Sequence, residues 1–378
     1  MHLLHFNDLL PYGACAGEEI RITKSFTLHF AAPMCESMLL LQASARCEGA
    51  PARVDLRLML EGREKPLYHS HTYFLGNKAH PARRLGFPPV LWEGISAELH
   101  VQIPDGTVLY VSEFDLSHAE KLPKTQPVHR FNAHLGFLGM APENTEIAFR
   151  LAALCGFSHC ICVPKLTRDG VLVCTHDETI NHAARHTDGR ELERYIYVKD
   201  LTYQELLSYD FGIRKGYVFA GTRIARLEDF FALCAETGMD PMFSTHPALP
   251  HEAWVRVREM LTRHGLLSRF HVKSFTPTIL KSAHDVFGEE IDGYTLDVQK
   301  LEADTIPSLL ATGIDPRRSR VGIEVRLRHF RPEDAARIRA AGMFAAVWNL
   351  PRCDFDTVYG ELIAAGVTEF TEDHHLPI

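Results

Sequence analysis

The chain has 378 residues, of which 46% are hydrophobic and 23% charged, and its formal net charge is −8. This length exceeds one average core, so we expect two domains, or one large barrel with an appendage. The acidic balance argues against a nucleic-acid binder, which carries a basic stripe. No apolar run approaches the roughly 18 residues of a membrane helix, and the start of the chain lacks the basic residues of a secretory signal.

The nine cysteines form no C-x-x-C pair and no framework spacing, and several of them lie inside apolar segments. Buried, reduced thiols are therefore expected, which agrees with a reducing compartment. Cys160 and Cys162 lack the second pair that a zinc site of this kind would need. We expect a cytoplasmic protein.

Residues 1–118 alternate with period two, which predicts strands. In "ARVDLRLML", Val54, Leu56 and Leu58 share one face, and charged residues share the other. The segment "ELHVQIPDGTVLYVSEF" is typical of a hairpin with Asp105-Gly106 at the turn. No segment of helical period interrupts these strands, so a β-sandwich of jelly-roll type is predicted. A charged, proline-containing linker follows at 119–128.

Residues 129–378 follow a different hydrophobic pattern, in which short apolar runs alternate with amphipathic stretches. "NTEIAFRLAALCG" has a cap, an apolar stripe and a terminating glycine, as a helix requires. "HEAWVRVREMLTRHG" and "RPEDAARIRAAG" are also typical of helices. The strand candidates include "HCICV", "VLVCTH", "PMFST", "RFHVKSF", "DGYTLDV", "RVGIEVRL", "FAAVWNL" and "VTEFTED". Repeated β-then-α order predicts a (β/α)8 barrel with its chemistry at the carboxyl ends of the strands.

Several ordered motifs identify a resemblance for this second part. They are "AH-x-G" at 133–136, "APENTEIAF" at 141–149, "LTRDGVLVCTHDETI" at 166–180, "DLTYQELLSYDFG" at 200–212 and "FAGTRIARLEDF" at 219–230. Together with the closing "GVTEFTED", they resemble the glycerophosphodiester phosphodiesterase family. The resemblance spans about 133 to 378 and leaves the amino-terminal domain outside it.

The resemblance implies a TIM barrel that cleaves glycerol-phosphate diesters with two histidines and a divalent metal, usually calcium or magnesium, held by carboxylates. The adjacent glycerol hydroxyl can serve as the nucleophile. His134 and His176 match the two catalytic histidines. The family's arginine then falls on Leu135, because the alternative dipeptide His129-Arg130 lies five residues too early.

The ligand positions depart from the family's pattern. Its second strand has Glu-x-Asp, and here those positions hold Ile161 and Val163. Its fourth strand offers a glutamate and a lysine, and here Ser244 and His246 stand there. Mg²⁺ and Ca²⁺ require several oxygen ligands, which aliphatic side chains cannot supply. The sequence therefore predicts an altered or missing metal site.

Candidate replacements are polar residues at strand ends. His246 could join His134 and His176 in a three-histidine transition-metal site. Lys273 could reach a phosphate, and Glu324 with Arg326 could form an inward acid–cation pair. The remaining substrate-binding candidate is Trp348, which matches a family aromatic. Asp297 or Glu372 could also swing in as a ligand.

Three interpretations remain open on the sequence alone. The first is an enzyme acting on a glycerophosphodiester or sugar-phosphate diester by His/His acid–base chemistry. The second is a barrel enzyme acting on a glycan, with the sandwich as its carbohydrate-holding module. The third is a catalytically silent barrel that binds a ligand or a partner. The expected partner is a small phosphodiester or glycan, with no nucleic acid and no membrane span, and a homo-oligomer stays open.

Overall fold

The computed structural model describes residues 2–32, 38–74, 83–119, 129–246, 248–350 and 355–373. The chain divides into two compact units, one mainly amino-terminal and one that contains a barrel. All of the predicted linker except Ala119 lies outside the described residues, so the boundaries at 118 and 129 stay predictions. No helix within the described ranges is long and apolar enough to cross a membrane.

The amino-terminal unit consists of two antiparallel sheets. Its strands are β1 (His2–His5), β2 (Ala14–Ala16), β3 (Glu19–Ile22), β4 (Phe26–Ala31), β5 (Met38–Glu48), β6 (Ala52–Leu60), β7 (Tyr68–Phe74), β8 (Arg83–Phe87), β9 (Ile95–Gln102) and β10 (Val108–Ala119). One sheet has the order β2-β3-β10-β5-β8, with β1 also on β10, and the other has the order β4-β9-β6-β7. Counted from β3 to β10, the sheets hold strands 1-8-3-6 and 2-7-4-5, which is jelly-roll order. The predicted sandwich is confirmed.

The core of this unit lies between the two sheets. Apolar residues of both sheets, such as Ile22, Val54 and Val111, surround a small shared cavity. The predicted alternation of β6 holds for its buried apolar face. Asp55 departs from it, because its side chain is fully buried on the face that the pattern assigns to solvent.

The predicted Asp105-Gly106 hairpin is wrong. Gly106 has the expected positive φ of 76°. However, β9 pairs with β4 and β6, whereas β10 pairs with β1, β3 and β5. The turn therefore carries the chain from one sheet to the other. A local alternation pattern is the same in both arrangements, and the distant partners decide between them.

The second unit is a closed barrel of eight parallel strands, which confirms the predicted fold. In barrel order they are β11 (Arg130–Ala133), β12 (His159–Cys162), β17 (Asp240–Ser244), β18 (His271–Ser274), β19 (Gly293–Val298), β20 (Arg320–Arg326), β21 (Phe344–Trp348) and β22 (Val367–Glu372). The helices are α1 (Glu146–Leu154), α2 (Tyr203–Leu206), α3 (Leu227–Thr237), α4 (His251–Arg263), α5 (Pro277–Phe287), α6 (Thr305–Leu310), α7 (Pro332–Ala340) and α8 (Phe355–Ala365). The three helices expected from periodicity correspond to α1, α4 and α7.

A long insertion separates β12 from α3. It contains two small antiparallel pairs, β13 (Pro164–Leu166) with β14 (Leu172–Cys174) and β15 (Arg185–His186) with β16 (Tyr209–Asp210). The segment "VLVCTH" thus forms a strand outside the barrel wall. The insertion packs around its own apolar cluster, which includes Val173, Ile180 and Leu206. This packing positions His176, which follows β14.

Charged side chains fill the amino-terminal end of the barrel. Arg130 donates to Asp292 at 2.7 Å, and His271 Nδ1 lies 2.9 Å from the same carboxylate. Burial acts to raise the pKa of Asp292, but His271 and Arg130 lower it well below its usual range. Arg320 and Glu369 form a further ion pair there. Arg130 is therefore a structural residue, which supports His134 as the match to the family's first histidine.

Candidate active site

His134 follows β11 directly, at the carboxyl end of the first barrel strand. The next two residues adopt positive φ, 56° at Leu135 and 80° at Gly136. A Cβ at position 136 would lie 2.6 Å from backbone and side-chain atoms of Ala148 on α1, so only glycine fits this approach. Leu135 is buried, so the residue at the family's arginine position is turned into the core. The tight turn holds the histidine at the barrel mouth.

Asp373 is the carboxylate partner of His134. Its Oδ1 lies 2.7 Å from His134 Nδ1, just beyond the end of β22. Two backbone hydrogen bonds fasten the same segments, from His134 N–H to the Glu372 carbonyl and from Gly139 N–H to the Asp373 carbonyl. A carboxylate on Nδ1 orients the ring and favours a proton at that nitrogen, which leaves Nε2 for chemistry.

His176 faces His134 from the insertion. The ring centroids are 6.5 Å apart and the ring planes are nearly perpendicular, at 89°. Its Nδ1 lies 2.7 Å from Oδ1 of Asp177, so each histidine has one carboxylate on Nδ1. His176 is half exposed and therefore reachable by a small molecule. The structure thus brings together the two histidines that the sequence pairs.

A cavity of about 380 Å³ lies beside His176. It is lined by both apolar and polar side chains and is large enough for a small diester. Its lining residues are Val163, His176, Asp177, Glu178, Thr179, Ser244, His246 and Phe275.

The second-strand positions supply no oxygen donor to this cavity. Val163 lines it, and Ile161, two residues earlier, is fully buried. Cys160 and Cys162 have the opposite parity and approach the thiol of Cys234 on α3, on the helix side of the wall. Burial raises the pKa of both thiols. These aliphatic side chains do not fit the hard cation that the family's carboxylates would hold.

The three-histidine metal site that the sequence left open is not formed among the described residues. His246 is exposed and lines the cavity together with His176. Yet the ligand atoms of His134, His176 and His246 do not all lie within 4.8 Å of one another; among the residues that the structure describes, one group does, and it lies in the sandwich.

Lys273 and Glu324 are placed against each other and not on the cavity. Both are buried, and they form an ion pair that also includes Asp297, 3.4 Å from Lys273 Nζ. Thr371 donates to Glu324 at 2.6 Å. The expected Glu324–Arg326 pair is therefore replaced by a Lys273–Glu324 pair. Lys273 on β18 and Glu324 on β20 point inward from strands that only β19 separates, so the lysine meets the carboxylate before it can reach a phosphate.

Arg326 and Trp348 do not line the cavity but connect to it through Phe275. The Arg326 guanidinium lies 5.1 Å from the centre of the Trp348 ring. Trp348 in turn meets Phe275, a cavity residue, edge to face at 5.8 Å. These two residues support the cavity wall through Phe275.

Asp297 and Glu372, the two carboxylates considered as additional metal ligands, do not line the cavity either. Asp297 belongs to the buried Lys273 pair. Glu372 is buried, and the Tyr359 hydroxyl of α8 donates to it. It therefore faces the helix layer, whereas its neighbour Asp373 bonds to His134.

Lys165 is a cation at this site that sequence reasoning missed. It is only 6% exposed, and its Nζ donates to the carbonyl of His246 at 2.5 Å. Burial lowers its pKa to about 8, against the opposing attraction of Glu178 and Asp177, both of which line the cavity. The sequence could have indicated this position, because Lys165 follows Ile161 and Val163 at two-residue spacing and so continues the inward face past Pro164.

Comparison with known proteins relates this arrangement to one family. The model of the glycerophosphoryl diester phosphodiesterase family matches residues 134–352, more than half of the chain. A glycerophosphodiester phosphodiesterase of Caldanaerobacter subterraneus is 39% identical over 104 residues, which is 28% of this chain and 40% of that protein. One of Bacillus altitudinis is 45% identical over 74 residues, 20% of this chain and 27% of that protein. The chain thus spans less than half the length of these curated relatives.

Solved structures show the same barrel. An Oleispira antarctica phosphodiesterase in complex with the product sn-glycerol-3-phosphate has a TM-score of 0.56 at 19% identity, over 66% of this chain and 94% of that one. A glycerophosphodiester phosphodiesterase of Agrobacterium tumefaciens has a TM-score of 0.52 at 18% identity, over 65% and 96%. At these identities the likeness concerns the fold alone.

Proposed function

Because the chain belongs to the glycerophosphoryl diester phosphodiesterase family, we propose that it cleaves a glycerophosphodiester or sugar-phosphate diester with His134 and His176 as its acid–base pair and with no divalent metal in the barrel. The observation that carries this proposal is the facing pair of histidines, 6.5 Å apart, each with a carboxylate on Nδ1.

The proposed reaction uses a hydroxyl of the substrate itself as the nucleophile. One imidazole takes the proton of the hydroxyl next to the phosphate as its oxygen bonds to phosphorus. The bond from phosphorus to the other alcohol breaks, and the second histidine, as imidazolium, gives its proton to that leaving oxygen. The products are a cyclic phosphodiester and a free alcohol, and water restores the two protonation states.

The magnitudes favour an intramolecular nucleophile. Acid–base catalysis by positioned side chains gives roughly 10²–10⁴-fold, or about 3–5 kcal/mol. A well-oriented neighbouring nucleophile lowers the barrier by a further ~7–11 kcal/mol. Together these effects place the barrier roughly 10–16 kcal/mol below that of unassisted attack by a separate water molecule, and the larger part of this comes from the substrate's own hydroxyl. Acid–base catalysis alone would fall short of this reduction.

We assign to Lys165 the positive charge that attracts the anionic substrate. A phosphodiester is a monoanion, and Val163 and Phe275 offer it no countercharge in the cavity. Lys165 is within electrostatic reach of the cavity residues Asp177 and Glu178 and stays protonated below about pH 8. A desolvated ammonium beside an anion attracts it more strongly than an exposed one.

The test is a comparison of substrates in the presence of a chelator. Purified protein is assayed with glycerophosphodiesters, with their deoxy analogues that lack the neighbouring hydroxyl, and with bis(p-nitrophenyl) phosphate. Turnover of the first group alone, with a cyclic phosphate seen by phosphorus NMR, supports the proposal. Turnover that needs added Mg²⁺, Ca²⁺, Mn²⁺ or Zn²⁺ would reject the metal-free barrel. A folded protein without any turnover would favour a silent, ligand-binding barrel.

A further inference from the structure

Three side chains on the sheet β4-β9-β6-β7 converge far from the barrel histidines in sequence. Asp55 on β6 is the direct cross-strand partner of His71 on β7, and His69 lies two residues before His71 on the same face. One ligand atom from each of the three lies within 4.8 Å of the others. The two imidazole rings stack at 5.2 Å with 29° between their planes.

The carboxylate of this group is buried in an unusual place. Asp55 lies on the face of β6 that alternation assigns to solvent, yet its side chain is 0% exposed. Its Oδ1 lies 2.6 Å from His69 Nε2. Its Oδ2 makes no hydrogen bond with any residue that the structure describes, and Arg57 Nη2 lies 3.8 Å from it. A buried oxygen without a hydrogen bond is costly, so this one has capacity for a further ligand.

We propose that Asp55, His69 and His71 form a binding site for a divalent transition-metal ion of the Zn²⁺ class. Alternate residues of one strand point the two imidazoles to the same side, and the cross-strand carboxylate completes a three-sided donor set. The ion would take the Oδ2 and replace the His69–Asp55 hydrogen bond. Imidazole nitrogen with carboxylate oxygen suits Zn²⁺ and Co²⁺ better than Mg²⁺ or Ca²⁺.

Arg53 competes with the ion for the same atoms. Its Nη2 donates to Asp55 Oδ1 at 2.6 Å and lies 3.5 Å from His69 Nε2. The metal-free carboxylate is thereby neutralised, and the pKa of Asp55 is lowered by His69 and Arg53 against the effect of burial. Arg53 is 29% exposed and can turn toward solvent when the ion binds. The site is therefore expected to bind metal more tightly without this arginine.

The experiment titrates the full-length protein with Zn²⁺ by calorimetry, and with Co²⁺ by visible absorption, which reports direct coordination. His69→Gln and His71→Gln are expected to weaken this binding by about tenfold or more. Arg53→Ala is expected to strengthen it. His29→Gln is the matched control, because His29 is exposed on β4 of the same sheet and pairs with Glu98 outside the group.

The variants distinguish binding at the proposed site from nonspecific binding by other histidines of the chain, which has 22 in all. Circular dichroism without metal establishes that each variant is folded. If His71→Gln does not fold, His69→Gln and the Co²⁺ spectrum of the unaltered protein decide the matter. Binding that survives both histidine variants, or that Arg53→Ala leaves unchanged, would overturn the proposal. So would failure of both the unaltered protein and Arg53→Ala to bind Zn²⁺.

Discussion

The imidazole of His134 and the carboxylate of Asp373 meet at 2.7 Å although 239 positions separate them in the chain. We expect Asp373→Asn to lower kcat, because a neutral amide no longer stabilises the imidazolium that forms during proton transfer. A variant with an unaltered kcat would show that the carboxylate only fixes the loop.

Removal of His176 should abolish most of the activity. His176→Ala is expected to lower kcat by roughly 10²–10⁴-fold with little change in KM, since proton transfer and not binding is lost. His182→Ala is the matched control, because His182 is an equally exposed histidine of the same insertion and lies near Glu143. Equal rates for the two variants would exclude His176 as acid or base.

Lys165→Met tests the assigned countercharge. KM should rise, because the positive charge that attracts the substrate is lost. The unfolding temperature should stay the same, because burial already disfavours the charged form of this lysine. In the unaltered protein KM should increase as the pH rises through about 8, where Lys165 loses its proton. This pH dependence should vanish in Lys165→Met. The control is Lys281→Met, which removes an exposed lysine paired with Asp285 on α5.

Chelation separates the two proposed sites. A chelator should leave the rate of diester cleavage unchanged, because Ile161 and Val163 cannot hold a hard cation. The same treatment should lower the unfolding temperature of protein loaded with Zn²⁺, since an ion bound to the native state stabilises it. Loss of cleavage on chelation, with recovery on addition of Mg²⁺, would contradict the metal-free reaction.

Asp292 should set the acid stability of the barrel. Its pKa is lowered in the folded state, so it stabilises the fold above the unfolded-state value of about 4 and loses this effect as the pH falls below it. Asp292→Asn should cost about 3 kcal/mol at neutral pH, because Arg130 and His271 lose a shared partner. Urea unfolding at pH 7 and pH 3 measures both effects.

The control for this prediction is Asp285→Asn, which removes an exposed carboxylate of α5. It should change the free energy of unfolding little, since surface ion pairs contribute about 0–1 kcal/mol. If Asp292→Asn also unfolds no more readily than the unaltered protein at pH 7, the network at the amino-terminal end of the barrel does not stabilise it.

The features that the sequence predicted correctly are those indicated by a local pattern or by several motifs in order. The barrel, the sandwich and the pairing of His134 with His176 belong to this class. The parity argument for Val163 also agrees with its place on the cavity. Each of these rests on spacing within one segment or on several motifs in series.

The features that were missed depend on contacts between distant segments. Alternation correctly separated the faces of β6 but could not show that Asp55 would be buried on the outer one. The Lys273–Glu324 pair joins residues 51 positions apart, and a strand pattern does not say which inward charges will meet. The spacing of Lys165 places it on the inward face, but only the folded insertion brings Asp177 and Glu178 within electrostatic reach of it.

The closure of the barrel by β11 against β22 has a consequence for when the proposed site is assembled. His134 stands at the end of the first strand and Asp373 at the end of the last. During synthesis the histidine emerges early and has no carboxylate to orient it until the final strand docks. A partly folded barrel therefore lacks the oriented His134 on which the proposed reaction depends, and the site is complete only once the last strand has paired with the first.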